Sequence, residues 1–293
     1  MHFPVLLEEV ISCLQPEAGD VILDATAGGG GHAKAILGKI LPGGTLVAVD
    51  RDAEAVERVR GQLESFRDHV TLVNEDFRNI DKILDSLDID LIDGALFDIG
   101  MSSFQVDDAE RGFSFRKDGP LDMRFDTGTG PTAADIVNTA SLEELADIIK
   151  KYGEERHAKR VAQAIVAARE KERIETTGTL ADVVAKAVGR KYRGVKLHPA
   201  ARTFQALRIC VNDELEALEE ALDRTAELVK PGGRICVISF HSLEDRIVKR
   251  AFKALASDGP FIMVTKKPVR PGNEEMRDNP RSRSAKLRVI ERE

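Results

Sequence analysis

Five apolar segments that lack polar alternation constrain the fold of this chain more than any other feature. A strand with one face in water alternates apolar and polar residues, whereas these segments are apolar almost throughout, so both faces of their sheet must be covered. Helical patterns separate the first four, which is typical of βαβ units. The predicted strands are residues 21–25, 45–50, 70–74, 91–97 and 234–240. We therefore predict an α/β fold with a parallel sheet.

The predicted helices divide the chain into two domains. From residue 132 to about 212 only helical patterns occur: 141–152, 154–171, 179–188 and 199–211. The other predicted helices are 4–14, 33–41, 53–66, 79–87, 214–229 and 243–255. Strands 261–267 and 285–292 end the chain with no helix between them, which favours an antiparallel pair at the sheet edge. We predict a discontinuous sheet domain, 1–105 and 213–293, interrupted by a loop and an all-helical insertion at 106–212.

Residues 98–126, termed the central loop, follow the fourth predicted strand without a period of 2 or 3.6. They hold seven carboxylates, several basic residues and four of the twelve phenylalanines, Phe104, Phe113, Phe115 and Phe125. A loop of this length is uncommon inside a compact domain and usually has a function. Aromatic and charged side chains at the carboxyl end of a strand favour a substrate site. The alternative is a surface loop whose phenylalanines cap the core.

Several classes of protein are disfavoured. No apolar run approaches the length of a membrane span, and the first ten residues carry acids without the basic residues of a signal peptide. Cys13, Cys210 and Cys236 are odd in number and widely spaced. No His, Cys or Asp cluster has metal-ligand spacing. We expect a reduced, cytoplasmic protein that uses neither a membrane nor a metal, and a homodimer is left open.

The net charge of −7 conceals two basic segments. Residues 183–212 contain seven Lys and Arg and no acid, and residues 246–293 contain thirteen Lys and Arg against six acids. An acidic body with two basic segments is typical of a nucleic-acid-binding protein. An ordinary solvated surface is the alternative. The residues predicted to form a phosphate-binding face are Lys186, Arg190, Lys191, Arg193 and Lys196.

A glycine-rich turn, TAGGGGHA, follows Asp24 at the end of the first predicted strand. Its backbone allows a ligand to approach closely beside a helix amino end. The pattern G-x-G-x-x-A that begins at Gly28 fits a dinucleotide fingerprint, but Asp24 would repel a pyrophosphate and suits the ammonium group of S-adenosylmethionine. Asp50, at the end of the second strand, would accept ribose hydroxyl groups in either case. Phe77 is placed to pack on the adenine, with an ordinary core position as the alternative.

Seven motifs are distributed over nearly the whole chain: ILDATAGGGGHA, VDRD, DIGMSSFQVDDAERGFSFRKDGPLDMR, YGEER, HPAARTFQALRI, ISFHSLEDRIVK and NPRSRSAKLRVIER. Together they resemble the RsmH (MraW) family of bacterial S-adenosylmethionine-dependent methyltransferases, which act on the N4 amine of a cytosine in the decoding region of 16S rRNA. The resemblance implies a Rossmann-like class I methyltransferase sheet and a helical insertion that helps recognise RNA within the small ribosomal subunit. By position, the implied cofactor contacts are Gly30, Gly31, His32, Asp50, Phe77, Asp98 and Gln105.

Methylation of a cytosine amine makes specific demands on the site. The nitrogen lone pair is conjugated with the ring, so the site must orient the amine and remove a proton. Many amine methyltransferases have an Asn/Asp-Pro-Pro-aromatic turn after the fourth strand, where this chain reads Asp98-Ile99-Gly100-Met101 and lacks the stacking aromatic. The predicted base contacts are Phe113, Phe115 and Phe125, the predicted phosphate contacts include Arg116 and Arg124, and the candidates for proton transfer are Asp118, Asp122 and His241.

Two other functions remain open from the sequence. A nicotinamide-dependent dehydrogenase would explain the glycine turn and Asp50, but neither the basic segments nor Asp24. A non-enzymatic ribosome-assembly factor would explain the basic segments, but it would not need a complete cofactor site.

Overall fold

The structure, a computed structural model, describes residues 4–189 and 198–293. The chain forms two compact units, which are Met1–Gly100 with Leu215–Glu293, and Met101–Glu214. We term them the sheet unit and the helical unit. The domain boundaries from the sequence, after residues 105 and 212, lie near this division. The role of the second domain in recognition stays a prediction.

The sheet unit contains all the strands of the described part of the chain. They are β1 (Val21–Asp24), β2 (Thr45–Asp50), β3 (Val70–Asn74), β4 (Ile92–Asp98), β5 (Val229–Ser239), β6 (Phe261–Met263) and β7 (Lys286–Arg292). Their order is β3-β2-β1-β4-β5-β7-β6. The first five are parallel, and β7 is antiparallel to both of its neighbours. The predicted α/β fold and the closing antiparallel pair are therefore confirmed.

The sheet unit and the helical unit each contain helices. In chain order they are α1 (Leu7–Leu14), α2 (Gly31–Ile40), α3 (Ala53–Gln62), α4 (Ile80–Asp85), α5 (Ser103–Asp107), α6 (Ala133–Thr139), α7 (Leu142–Gly153), α8 (Ala158–Arg169), α9 (Thr177–Val188), α10 (Ala201–Asn212), α11 (Glu214–Leu228), α12 (Ser242–Asp258) and α13 (Asn273–Asp278). Helices α5 to α10 belong to the helical unit. Among the described residues, no helix is long and apolar enough to cross a membrane.

Both faces of the sheet are buried. Along β1 and β4, successive residues enter opposite cores: Leu23 and Phe97 pack in one cluster, Ile22 and Leu96 in the other. This arrangement explains why the strands are apolar without alternation.

The helical unit has a core of its own. Leu145 and Ile149 of α7 are fully buried at the four-residue spacing of one helix face. Ser141 begins α7 with a capping box, because its side chain accepts from the backbone N–H of Glu144 and the Glu144 carboxylate accepts in return. The unit is therefore stabilised by local sequence signals as well as by burial.

Some predicted elements were wrong in detail. A short helix, α13, lies between β6 and β7, where no helix was expected, and the strand predicted over 261–267 ends at Met263. The first helix begins at Leu7 because Leu6 has a left-handed backbone, with φ of 54°. Helices α5 and α6 were missed because five and seven residues are too few to establish a helical period.

Candidate functional site

Three aspartates lie at the carboxyl ends of neighbouring parallel strands. Asp24, Asp50 and Asp98 are the last residues of β1, β2 and β4. Strand β1 pairs with β2 on one side and with β4 on the other, so the strand order reverses at this point. Ligands of open α/β sheets bind in the crevice outside such a switch point. The structure thus brings these three side chains to the expected ligand-binding edge.

The glycine turn after β1 fixes one of these carboxylates. The backbone N–H of Gly28 donates to Asp50 Oδ2 at 2.7 Å, and that of Asp52 donates to Asp50 Oδ1 at 2.9 Å. Gly28 and Gly30 have φ of 51° and 75°, a region that favours glycine. Each carboxylate oxygen retains a lone pair for a further donor. Asp50 is therefore preorganised as an acceptor.

The other two carboxylates each have a buried oxygen without a hydrogen-bond partner among the described residues, Asp24 Oδ2 and Asp98 Oδ1. Burial raises the pKa of Asp24 to about 6. Burial, together with the nearby charge of Glu244, raises the pKa of Asp98 to about 7. Burial also raises the pKa of Asp50 to about 6, although the hydrogen bonds from Asp52 and Gly28 oppose it. A ligand with a positive charge and several donor groups would satisfy these oxygens and reverse the shifts.

These carboxylate acceptors fit some ligands and exclude others. The ammonium, sulfonium and ribose hydroxyl groups of S-adenosylmethionine match a cluster of acceptors, whereas the pyrophosphate of a dinucleotide would be repelled. The residues of the sheet unit therefore fit S-adenosylmethionine. In residues 4–189 and 198–293, no group of three or more His, Cys, Asp or Glu side chains is placed to hold a metal ion.

His32 lies beside Asp98, on the first turn of α2. Its Nε2 is 3.0 Å from the Val5 carbonyl oxygen, and its Nδ1 is 3.5 Å from Asp98 Oδ2. Burial lowers the pKa of His32, which favours the neutral imidazole. A Cβ atom at the neighbouring Gly31 would lie 2.6 Å from Pro4 Cγ, so a larger residue there would displace the segment around Pro4.

The two remaining predicted cofactor contacts have other partners in the structure. Phe77 is partly buried and packs edge to face against Phe97, with ring centroids 6.0 Å apart. Gln105 belongs to the helical unit, where its Oε1 accepts from the backbone N–H of Ser102 at 2.9 Å in the capping box of α5. Their roles toward a cofactor stay predictions.

The candidates for proton transfer all hold local structure. Asp118 is exposed and accepts from the backbone N–H of Gly178 at 2.7 Å, which lowers the pKa of its carboxyl. Asp122 forms a two-pronged ion pair with Arg124 at 2.9 and 2.8 Å, and despite partial burial these bonds lower the pKa of Asp122.

His241, the third candidate, is the N-cap residue of α12. Its Nε2 is 3.0 Å from Glu244 Oε1, and its Nδ1 accepts from the Glu244 backbone N–H at 3.4 Å. The catalytic roles of Asp118, Asp122 and His241 stay predictions.

The predicted base contacts lie in the helical unit and pack together. Phe113 is buried, with 6% exposure, and stacks on Phe125 with centroids 5.3 Å apart. Phe115 is partly buried, stacks on His198 at 4.5 Å and meets Phe204 edge to face. Phe113 is part of the core of this unit, while Phe115 and Phe125 pack against that core. This packing favours a partly structural role for the central loop.

The predicted phosphate contacts differ in their environment. Arg116 and Lys186 are exposed. Arg124 is bound to Asp122 and also donates to the carbonyl of Gly130. The other predicted phosphate contacts, Arg190, Lys191, Arg193 and Lys196, lie outside the described residues.

Sequence reasoning missed three groups that the structure places beside the three aspartates and the turn after β4. Val5 reaches His32, Glu244 lies near Asp98, and Phe240 packs against Gly100, where an added Cβ would be 3.4 Å from the ring. All three are separated from their partners along the chain. No local sequence pattern reports such contacts.

The full chain, residues 1–293, matches the model of the MraW methylase family. It is 49% identical to the ribosomal RNA small subunit methyltransferase H of Syntrophotalea carbinolica, over 99% of this chain and 98% of that protein. The protein of the same name from Persephonella marina is 48% identical, with 99% of each chain covered. A crystal structure of a Clostridium thermocellum protein proposed to be an rRNA methylase covers 100% of both chains at 14% identity and a TM-score of 0.51, which supports the fold alone.

Proposed function

Because the chain belongs to the MraW methylase family, we propose that it transfers a methyl group from S-adenosylmethionine to the N4 amine of a cytosine in 16S rRNA. The observation that carries the choice of donor is the cluster of three strand-end aspartates, two of which have a buried oxygen without a partner among the described residues. The small-subunit rRNA substrate is supported by the names of the relatives. The N4 position of cytosine comes from the resemblance of the sequence motifs to the RsmH (MraW) family.

The proposed contacts would each bind a different part of the methyl donor. Asp24 would accept from the ammonium group, Asp50 from the ribose hydroxyls, and Gly30 and Gly31 would let the ligand approach the backbone. His32, Phe77, Asp98 and Gln105 complete the proposed set, and Gln105 enters it by the resemblance alone. S-adenosylmethionine, when bound, supplies a methyl group on a sulfonium that an amine nitrogen can accept.

The turn after β4 is the proposed place for the target amine. Gly100 has φ of 124°, and the Phe240 ring packs against it from the end of β5. Phe240 therefore joins Phe113, Phe115 and Phe125 as a candidate to stack on the base. Asp118, Asp122 and His241 remain the candidates to take the amine proton, and the lowered pKa values of the two aspartates make them weak bases.

An RNA substrate is supported by the surface of α12. Arg246, Lys249, Arg250 and Lys253 are exposed at the spacing of one helix face, while Val248 and Phe252 are buried on the other. Such a row of cations fits the phosphates of RNA. We propose that this face and the helical unit bind 16S rRNA within the small ribosomal subunit, in the cytoplasm.

The test is methyl transfer to isolated small ribosomal subunits. The protein is incubated with S-adenosylmethionine labelled in the methyl group, and the rRNA is then digested to nucleosides. We expect label in N4-methylcytidine, none with large subunits, and none with the Asp24→Asn variant. Label in another nucleoside would refute the N4 assignment, and no label in any rRNA would refute the proposed function.

A further inference from the structure

Residues 4–6, termed the N-terminal strap, pack directly on the glycine turn. The Pro4 ring lies against Gly31, and the Val5 carbonyl oxygen is 3.0 Å from His32 Nε2. Leu6 is fully buried and has a left-handed backbone, with φ of 54° and ψ of 36°. A non-glycine residue adopts this conformation only where its surroundings hold it. The strap is therefore fixed by contacts beyond its own sequence.

One of those contacts comes from the other end of the chain. The backbone N–H of Leu6 donates to Glu275 Oε1 at 2.9 Å, although the two residues are 269 positions apart. Glu275 belongs to α13, which lies in the same sheet unit. Leu6 is also the residue before α1, and it has no side-chain cap of its own. The Glu275 carboxylate thus holds the strap at the backbone group that follows Val5.

The strap in turn determines which ring nitrogen of His32 carries hydrogen. A carbonyl oxygen accepts only, so the contact with Val5 requires hydrogen on Nε2. In the neutral imidazole, Nδ1 then keeps its lone pair. That nitrogen is the one 3.5 Å from Asp98 Oδ2.

We propose that Glu275 is a positioning residue of the donor site, because through the N-terminal strap it keeps His32 in the tautomer whose Nδ1 lone pair faces Asp98. In this tautomer His32 adds an acceptor to the acceptors of Asp24 and Asp98. The other tautomer would place an N–H group beside Asp98 Oδ2, where it would occupy a carboxylate lone pair that a cationic ligand needs. The consequence for the donor rests on the proposed function, whereas the tautomer itself does not.

The experiment measures the tautomer and the affinity separately in the full-length protein. Nitrogen-15 NMR distinguishes protonated from unprotonated ring nitrogens, and a His32→Asn variant identifies the His32 signals among those of the six histidines. We expect hydrogen on Nε2 of His32 in the wild type and a mixture of tautomers in Glu275→Ala. The affinity of Glu275→Ala for S-adenosylmethionine, measured by calorimetry, should fall about 2- to 10-fold, as for the loss of one hydrogen bond.

Two variants separate positioning from a general loss of structure. Glu275→Gln keeps an oxygen that can accept from Leu6 and should restore both the tautomer and the affinity. Glu274→Ala removes the exposed neighbour on the same helix and should change neither. A wild-type spectrum with hydrogen on Nδ1 would overturn the proposal whether or not any variant folds. So would a Glu275→Ala protein that keeps the single tautomer. If the wild type binds no S-adenosylmethionine, the proposed function fails, and the spectra still decide the role of Glu275.

Discussion

Asp98 shows at the scale of one residue how a site can be unfavourable in the free protein and suited to a ligand. Its carboxylate has a buried oxygen without a partner among the described residues, and Glu244 lies near enough to oppose its ionisation. An ionised Asp98 therefore costs stability until a positive group or a donor arrives. Functional sites commonly carry such costs.

Replacing Asp98 with Asn should separate stability from binding. The pKa of Asp98 is about 7 in the folded protein, whereas an aspartate that is not buried has a pKa of 3.8. Between these values only the folded state keeps the proton, so the contribution of Asp98 to the free energy of unfolding falls as the pH rises toward 7. Melting curves of free Asp98→Asn should fall less steeply over this pH range than those of the wild type, because Asp24 and Asp50 keep their own contributions. The affinity for S-adenosylmethionine above pH 7 should drop by about 1.5–3 kcal/mol. If the stability of the variant depended on pH as the wild type does, the raised pKa of Asp98 would be contradicted.

Phe113 and Phe115 should respond differently to truncation. Phe113 is 6% exposed in the core of the helical unit, so Phe113→Ala should cost about 3–5 kcal/mol of stability. Phe115 is partly buried against His198, and Phe115→Ala should lower methylation about 10- to 100-fold with a smaller change in melting, if it stacks on the base. Thermal melting and methyl transfer to small subunits measure both. Equal losses of stability in the two variants would leave the loop as scaffold.

At the scale of elements, α12 combines two functions in one helix. Its buried face packs in the core of the sheet unit, and its exposed face carries the cations. The helix begins at Ser242, with two residues between it and the end of β5 at Ser239, and β5 pairs with β4 so that Asp98 lies opposite Ile238. The basic face therefore starts near the end of the sheet where the three aspartates lie.

Neutralising that face should weaken RNA binding through phosphate contacts alone. The triple variant Lys249→Gln, Arg250→Gln and Lys253→Gln should lower the salt slope of RNA binding by about 2 to 3 units and leave the affinity for S-adenosylmethionine unchanged. A matched control replaces three exposed cations of α2 and α3, Lys34, Lys39 and Arg60, with Gln. Equal slopes for the two triple variants would reduce the α12 face to a solvated surface.

The sequence predicted the elements that have a strong local pattern and missed those fixed by distant contacts. Four parallel strands, β1 to β4, were predicted to within about one residue because each is a short, mostly apolar run between helical patterns. Asp24 and Asp50 were recognised because they end such strands. Helix α13 has six mostly polar residues and no period, and its Glu275 acts on a residue 269 positions away. Contacts of that kind depend on the finished fold, so no window of sequence contains them.

At the scale of the whole molecule, the chain has separate cores in its two units. Two clusters line the faces of the sheet, and a third lies within the helical unit. The three aspartates proposed to bind the methyl donor, Asp24, Asp50 and Asp98, lie in the sheet unit. Units with cores of their own are expected to unfold as distinct cooperative steps.

Calorimetry with and without S-adenosylmethionine should therefore shift one unfolding step more than the other. A ligand at about 100 times its Kd stabilises the unit that binds it by about 2.7 kcal/mol. We expect the step of the sheet unit to move to higher temperature. Leu145→Ala removes a fully buried side chain of the helical unit and so identifies the other step. The helical unit should lose about 2–5 kcal/mol of stability, and its step should move to lower temperature. If the ligand shifted only the step that Leu145→Ala weakens, the donor would bind the helical unit, and the strand-end aspartates could not be its main contacts.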